Sequence, residues 1–294
     1  MTHRKLHAMP ATPRRRPATT PITDPAAWTA PGYVGLLAVD IGNTNITLGL
    51  WQDGKWAMHW RARTVREKMP DEYAMLMRGF LHGVGLRRRA VNAVIIASVV
   101  PALTGTWIEL AQNYFGIEPL VVTHQTEIGI RIAIDQPAQA GADRIVNAAA
   151  AHALYGGAAI VVDFGTATNF DILTSDGAYR GGAILPGIGI SHDALVSRAA
   201  RLHKVDLEPP PSPIGTNTIH AMQSGLFWGY VSLIEGMVVR LRAAMREQFG
   251  ETDIRVIGTG GLSALFDQHT DAFDELAPDL TLDGLRIIWE RNRS

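Results

Sequence analysis

Apolar positions fall in a strand–helix rhythm from Tyr33 onward. Residues 35–39 (GLLAV) are apolar throughout, which predicts a strand covered on both faces. Ile46, Leu48 and Leu50 then alternate with Thr47, Gly49 and Trp51, and Asp53-Gly54 turns this second strand into a third over 55–61. Behind Pro70 a helix is predicted from Asp71, with Tyr73, Met77 and Phe80 near helical spacing. Strands are predicted over 91–100 and 120–122, with a helix over 104–115 between them. An Ala-rich helix over 143–155 is stopped by Gly156-Gly157.

The pattern then begins again. Residues 158–162 (AAIVV) form a second buried strand that, like the first, runs into Asp-x-Gly. A hairpin through Phe170 and Ile172 turns at Asp176-Gly177. A long helix over 220–249, a strand over 254–257 and a last helix over 262–276 complete the reading. Two halves that each open with strand, Asp-x-Gly and hairpin, roughly 123 residues apart, indicate an internal duplication. The expected fold is α/β, with related domains at 34–156 and 157–294 and a cleft between them.

Residues 1–33 differ in kind. They carry Arg4, Lys5 and Arg14-Arg15-Arg16 against Asp24 alone, and six of the 16 prolines. Such a segment buries too little to offset its ordering entropy and is expected to be a disordered tail. Its prolines oppose the amphipathic helix of a transit peptide, and no apolar core follows to make a secretory signal. The 294 residues balance 27 Lys+Arg against 28 Asp+Glu, so the charge signature of a nucleic-acid binder is missing. With no cysteine, disulfides, thiolate nucleophiles and zinc-thiolate sites are excluded. Apolar runs such as 94–100 are far too short to span a bilayer. A soluble, cytoplasmic protein is expected, without membrane or nucleic-acid partners.

The candidate chemistry lies where the two strands end. Asp40-Ile41-Gly42-Asn43-Thr44-Asn45 and Asp163-Phe164-Gly165-Thr166-Ala167-Thr168 each place an acid at a strand end, then a Gly and small polar side chains. Either alone is an ordinary turn. As a pair after equivalent strands they read as two loops whose N–H groups cradle phosphates from both sides. The carboxylates would repel phosphate, so their use is to hold a cation or its water, and Mg²⁺ suits such oxygen ligands. Gly49-Leu50-Trp51-Gln52-Asp53-Gly54-Lys55 matches a P-loop pattern, but strand–turn–strand surroundings and Trp56 in place of Ser/Thr rule it out. Gly258-Thr259-Gly260-Gly261 lacks the third Gly of a dinucleotide fingerprint, although the helix start beyond it suits part of a nucleotide. His152 has no metal-ligand spacing and reads as a packed or surface side chain. In Gly141-Ala142-Asp143-Arg144, Asp143 reads either as a helix N-cap or as a base for a hydroxyl, and Arg144 as a partner for a carboxylate. Periodicity leaves these open.

Taken together the motifs resemble the type III pantothenate kinases of the acetate and sugar kinase/actin/chaperone superfamily. Besides the two loops and Gly141–Arg144, the resemblance rests on Asp71-Glu72-Tyr73, Ala97-Ser98-Val99-Val100-Pro101, 181–187 (GGAILPG), 217–225 (NTIHAMQSG) and Thr259-Gly260-Gly261. It covers 34 to about 290 and implies duplicated actin-like (ribonuclease H-like) domains with an interdomain cleft. It further implies phosphorylation of pantothenate by ATP, the first step of coenzyme A synthesis, in a homodimer with pantothenate near the subunit interface. Carried over by motif, Asp143 is the general base, Arg144 grips the pantothenate carboxylate, and Gly141, Ala142 and Thr218 complete that site. Asp40, Ile41, Gly42, Asn43, Thr44 and Asn45 would hold ATP phosphates and, through Asp40 and water, Mg²⁺. Thr166, Gly260 and Gly261 would add ATP contacts, and Asp163 would bind a monovalent cation, K⁺ or NH₄⁺. Ile134 stands where many members carry Tyr, Asn169 where Thr is usual and His203 where Pro is common. The motifs leave two other readings: a kinase of this superfamily with another acceptor, or a nucleotide-sensing regulator without catalysis.

Overall fold

A computed structural model describes residues 35–199 and 201–293; the expected disordered tail, 1–33, lies outside them. The first half contains strands β1 (Leu36–Ile41), β2 (Asn45–Gln52) and β3 (Lys55–Arg63), then helix α1 (Pro70–Gly83) and strand β4 (Ala93–Ser98). Helix α2 (Pro101–Leu110), the short strands β5 (Leu120–Val121) and β6 (Arg131–Ile132), and helix α3 (Ala142–Tyr155) follow. The second half opens with β7 (Ala158–Phe164), β8 (Ala167–Leu173) and β9 (Ala178–Pro186), then α4 (Ile188–Arg198) and α5 (Thr218–Phe249). It ends with β10 (Ile254–Gly260), α6 (Ser263–Asp267), β11 (Glu275–Leu276) and α7 (Leu280–Asn292).

The two sheets have one plan. The first is ordered β3-β2-β1-β4-β5; the second, β11-β10-β7-β8-β9-β6, repeats that order and adds β6 beside β9. In each, an antiparallel meander is extended by two parallel strands.

Strand alternation decides where the acids go. Leu37, Val39 and Ile41 pack outward with Tyr73 and Met77 of α1 and Trp107 of α2. Leu36 and Ala38 face a central layer with Ala159 and Val161 of the second sheet, so Asp40 and Asp163, two residues further on, face the same layer. That layer is filled by α3 and α7. Its Ala148–Ala151 run lets α3 fit between two sheets without large side chains. Gly284 of α7 abuts the Val146 carbonyl, and an added Cβ would overlap it. Gly284→Ala should therefore push α7 off α3 and destabilise by about 1–3 kcal/mol, read from denaturant midpoints.

Local signals account for several boundaries. Pro101 occupies the first turn of α2, so that helix starts three residues before the predicted 104. Asn217 caps α5 by accepting from His220 N at 2.9 Å, and Gly250 ends it at φ 73°. The segment 49–55 is strand and turn, as expected from its surroundings. The predicted helix over 262–276 is a correction: it stops after five residues. Thr270 and Asp274 turn their side chains onto the backbone at Ala272 N and Val256 N, which frees the chain to pair β11 with β10. The final helix is α7, whose Leu282, Leu285 and Ile288 lie at helical spacing.

Candidate active site

The two Asp-x-Gly loops meet. Thr44 Oγ1 and Thr166 Oγ1, one from each loop, lie 2.8 Å apart. Each loop closes on itself in the same manner: Gly42 N donates to Asn45 O and Gly165 N to Ala167 O, both at 3.0 Å. Each is also braced from the segment after its meander. Thr64 donates through Oγ1 to Gly42 O at 2.7 Å and through N to Thr44 O at 3.0 Å. Gly187 N donates to Thr166 O at 3.1 Å. Arg66 Nη2 adds a bond to Asn43 Oδ1 at 3.3 Å.

Asp143 enters from the N-terminal turn of α3. The N-cap of that helix is Gly141, not Asp143, so the capping reading is overturned. Asp143 Oδ1 accepts from Arg144 N at 2.8 Å and stands 2.6 Å from where a Cβ on Gly141 would lie. Gly141 is thus the residue that lets the carboxylate fold over the helix start. Val99, from the end of β4, closes the other side of Gly141.

Three carboxylates therefore lie close enough to act on one another. Burial, then repulsion from Asp143 and Asp163, raises Asp40 well above the usual carboxylate range. Burial and Asp143 push Asp163 up to about 6, against the hydrogen bond from Asn147. Burial also raises Asp143, opposed by Arg144. Among the described residues no three His, Cys, Asp or Glu side chains close on one point to form a protein-only metal cage. The arrangement instead suits cations held by single carboxylates and by the phosphates they neutralise, the usual mode for Mg²⁺.

Side chains that the motifs did not single out hold these acids in place. Asn147, fully buried and one turn after Asp143, donates from Nδ2 to Asp163 Oδ2 at 3.1 Å and accepts from Thr281 Oγ1 of α7 at 2.7 Å. Arg144 Nε donates to the buried Asp171 Oδ1 at 2.7 Å, and Tyr179 Oη donates to the same oxygen at 3.0 Å. Burial raises Asp171 while the Arg144 guanidinium opposes it. Arg144 is thereby fixed beside the Tyr179 ring, 5.8 Å from its centroid. Both anchors had a signal: Asn147 is the polar residue at i+4 from Asp143 in an Ala-rich helix, and Asp171 is the charge inside an apolar strand run.

The turn after β10 abuts Asp163. Gly260 has φ 86°, and a Cβ there would lie 2.6 Å from Asp163 Oδ1 and 2.7 Å from Phe164 N. Gly260→Ala should therefore both strain the turn and displace Asp163, lowering stability by about 1–3 kcal/mol in thermal unfolding. The expected helix start beyond Gly261 is the five-residue α6. Ile134 packs on the central layer, near Gly181. His152 is packed against Gly177, in keeping with a structural side chain.

Thr218 lies elsewhere. It lines a cavity of about 710 Å³ between α4 and α5, together with Ser191, Leu195, Thr216, Met222 and Leu226, whose lining includes neither Asp143 nor Arg144. Exposed apolar side chains surround this part of the surface, with Ile214 at 80% and Ile219 at 58% of full exposure. Among the described residues no helix is long and apolar enough to cross a membrane.

Comparison with known proteins adds a family. The sequence model of the family described as type III pantothenate kinase matches residues 36–240. A type III pantothenate kinase of Roseiflexus sp. (strain RS-1) is 49% identical over 259 residues, covering 88% of this chain and 100% of the relative. One from Moorella thermoacetica is 46% identical over 257 residues, covering 87% and 99%. A solved Baf family structure from Campylobacter jejuni shares the fold at 19% identity and a TM-score of 0.53, covering 87% of this chain and 98% of that one.

Proposed function

The chain belongs to the type III pantothenate kinase family, and from that premise we infer how its own residues perform the reaction. It is a phosphotransferase that moves the γ-phosphoryl group of ATP to pantothenate, giving 4'-phosphopantothenate for coenzyme A biosynthesis. Its α/β fold of two actin-like halves is the family's.

The observation that carries the site reading is the convergence of Asp40, Asp143 and Asp163 beneath two loops joined by Thr44 and Thr166. ATP lies between the loops, its phosphates on the backbone from Asp40 to Asn45, including Ile41, Gly42, Asn43 and Thr44, and on Thr166. Gly260 and Gly261 border its nucleoside. Pantothenate lies over Gly141 and Ala142 with its carboxylate on Arg144, whose orientation Asp171 maintains. Its primary hydroxyl gives a proton to Asp143 as the oxygen bonds to the γ-phosphorus and the bond to the ADP oxygen breaks. The raised affinity of Asp143 for protons makes it the stronger base.

The donor set fits cations. Uncompensated carboxylates with hydroxyls beside them are hard oxygen ligands, suited to Mg²⁺ near Asp40 and to K⁺ or NH₄⁺ on Asp163. When bound, these ions neutralise charge on the transferring phosphoryl group. Asn147 aims Asp163, so Asn147→Ala should raise the potassium concentration for half-activation about 10–100-fold, measured by titrating KCl into the assay.

A homodimer is part of this reading. The exposed Ile190, Leu195, Ile214 and Ile219 beside Thr218 are a surface that a second copy would cover, bringing Thr218 towards the partner's pantothenate. A cytoplasmic location follows from the substrate, a metabolite of central biosynthesis. The acceptor is tested with a panel of small hydroxy acids in the presence of ATP, Mg²⁺ and K⁺. Mass spectrometry should show one added phosphoryl group on pantothenate, and a preference for any other acceptor would overturn the assignment.

A further inference from the structure

Beyond the residues assigned above, we propose that Arg61 is an ATP-binding residue that takes up polyphosphate charge from the β3 side of the cleft. The sheet register makes this possible. Asp40 of β1 pairs with Thr47 of β2, and Thr47 pairs with Arg61 of β3. Directly paired residues project from one face of a sheet, so Arg61 shares the cleft face with Asp40, two strands away at roughly 10 Å between backbones. The side chain crosses towards the other half. Arg61 Nη2 comes 3.9 Å from where a Cβ on Gly261 would stand, and Gly260 next to it abuts Asp163. The guanidinium thus reaches from the first sheet to the turn assigned to the nucleoside, beside the glycine that abuts Asp163.

None of the described residues uses this charge. Arg61 is exposed, and among the described residues no ion pair or hydrogen bond engages it. Asp40 is raised by burial and by Asp143 and Asp163, with no compensating pull from Arg61. The fold does not demand an arginine there either. In the second half the corresponding row runs from Asp163 to Asn169 to Ile184, so the position equivalent to Arg61 holds an exposed apolar side chain. An unspent cation in the first half alone, facing a cleft whose floor is acidic, is placed to receive a polyanion that the floor would otherwise repel. Guanidinium is suited to phosphate because its planar fork donates two parallel hydrogen bonds.

The inference rests on the reading of the cleft as the ATP site, and the test separates the two. Mg-ATP, ADP and adenosine are titrated into wild type, Arg61→Gln, Arg61→Lys and, as a remote control, Arg87→Ala by calorimetry, alongside steady-state kinetics. Arg61→Gln should weaken ATP about 10–100-fold and leave adenosine and the pantothenate KM within twofold. Arg61→Lys should recover part of the loss, and Arg87→Ala should bind as wild type does. ATP binding by Arg61→Gln within twofold of wild type would overturn the role of Arg61 alone. Wild type that binds no ATP would overturn the site reading and this inference with it.

Discussion

Asp143→Asn is expected to lower kcat by about 10²–10⁴-fold while leaving ATP affinity nearly unchanged. The substitution keeps shape and one acceptor oxygen, so the contact with Arg144 N and the fold of Gly141 over the helix start survive. What it removes is the carboxylate basicity that takes the hydroxyl proton. It also removes a negative charge that presses on both Asp40 and Asp163. Those two acids should then titrate lower. Loss of turnover with intact nucleotide binding distinguishes a base from a structural acid. The acidic limb of the kcat profile, set in wild type by a carboxyl raised by burial, should vanish in the variant. Turnover within twofold of wild type would remove Asp143 from the mechanism.

Asp163→Asn is expected to abolish activation by potassium, and it carries a second signature in stability. The folded protein holds the Asp163 proton with a pKa of about 6, above the 3.8 of a free side chain. The folded state therefore binds protons more tightly than the unfolded chain between those values, so wild-type stability falls as pH rises from 4 through 6. In the absence of cations the variant should be more stable than wild type at pH 7.5, on the order of 2 kcal/mol after allowing for partial exposure. The difference should close at pH 4. Added K⁺ should stabilise wild type and not the variant, because only wild type gains by binding it. Potassium activation that persists in Asp163→Asn would contradict the role.

Much of this molecule is local and was legible as such. The buried strand runs, the Asp-Gly hairpins and the repeated Asp-x-Gly ends follow from residues within a few positions of one another, so the duplication could be seen before any contact was known. Asp40 and Asp163 stood out only as a pair after equivalent strands, while Asp143 was open between a helix cap and a base until the family resemblance was weighed. What stayed hidden depends on pairings across the chain. Thr281 reaches Asn147 only because α7 returns to pack on α3, 134 residues earlier. Asp171 is paired with Arg144 across 27 residues, and no spacing rule connects a strand charge to a helix start. Arg61 acquires its position from a register through three strands. The segment 262–276 misled for the opposite reason: its apolar spacing is helical, but Thr270 and Asp274 offer the backbone better partners than the next turn of helix.

The electrostatics have one theme. Three carboxylates are raised by burial, and Asp40 and Asp163 are raised further by the charge of Asp143, which suits a site that gathers cations and phosphates. Positioning and charge neutralisation are most of what phosphoryl transfer asks of a protein. Asn147, Asp171 and the two threonines hold these parts in register.

The most direct measurement is ADP release by the purified protein with ATP and Mg²⁺, with and without pantothenate, in potassium or in sodium. Release should require both pantothenate and potassium, with one phosphopantothenate formed for each ADP. Release indifferent to pantothenate, or no release while ATP binds, would overturn the reading of this cleft as a pantothenate kinase site.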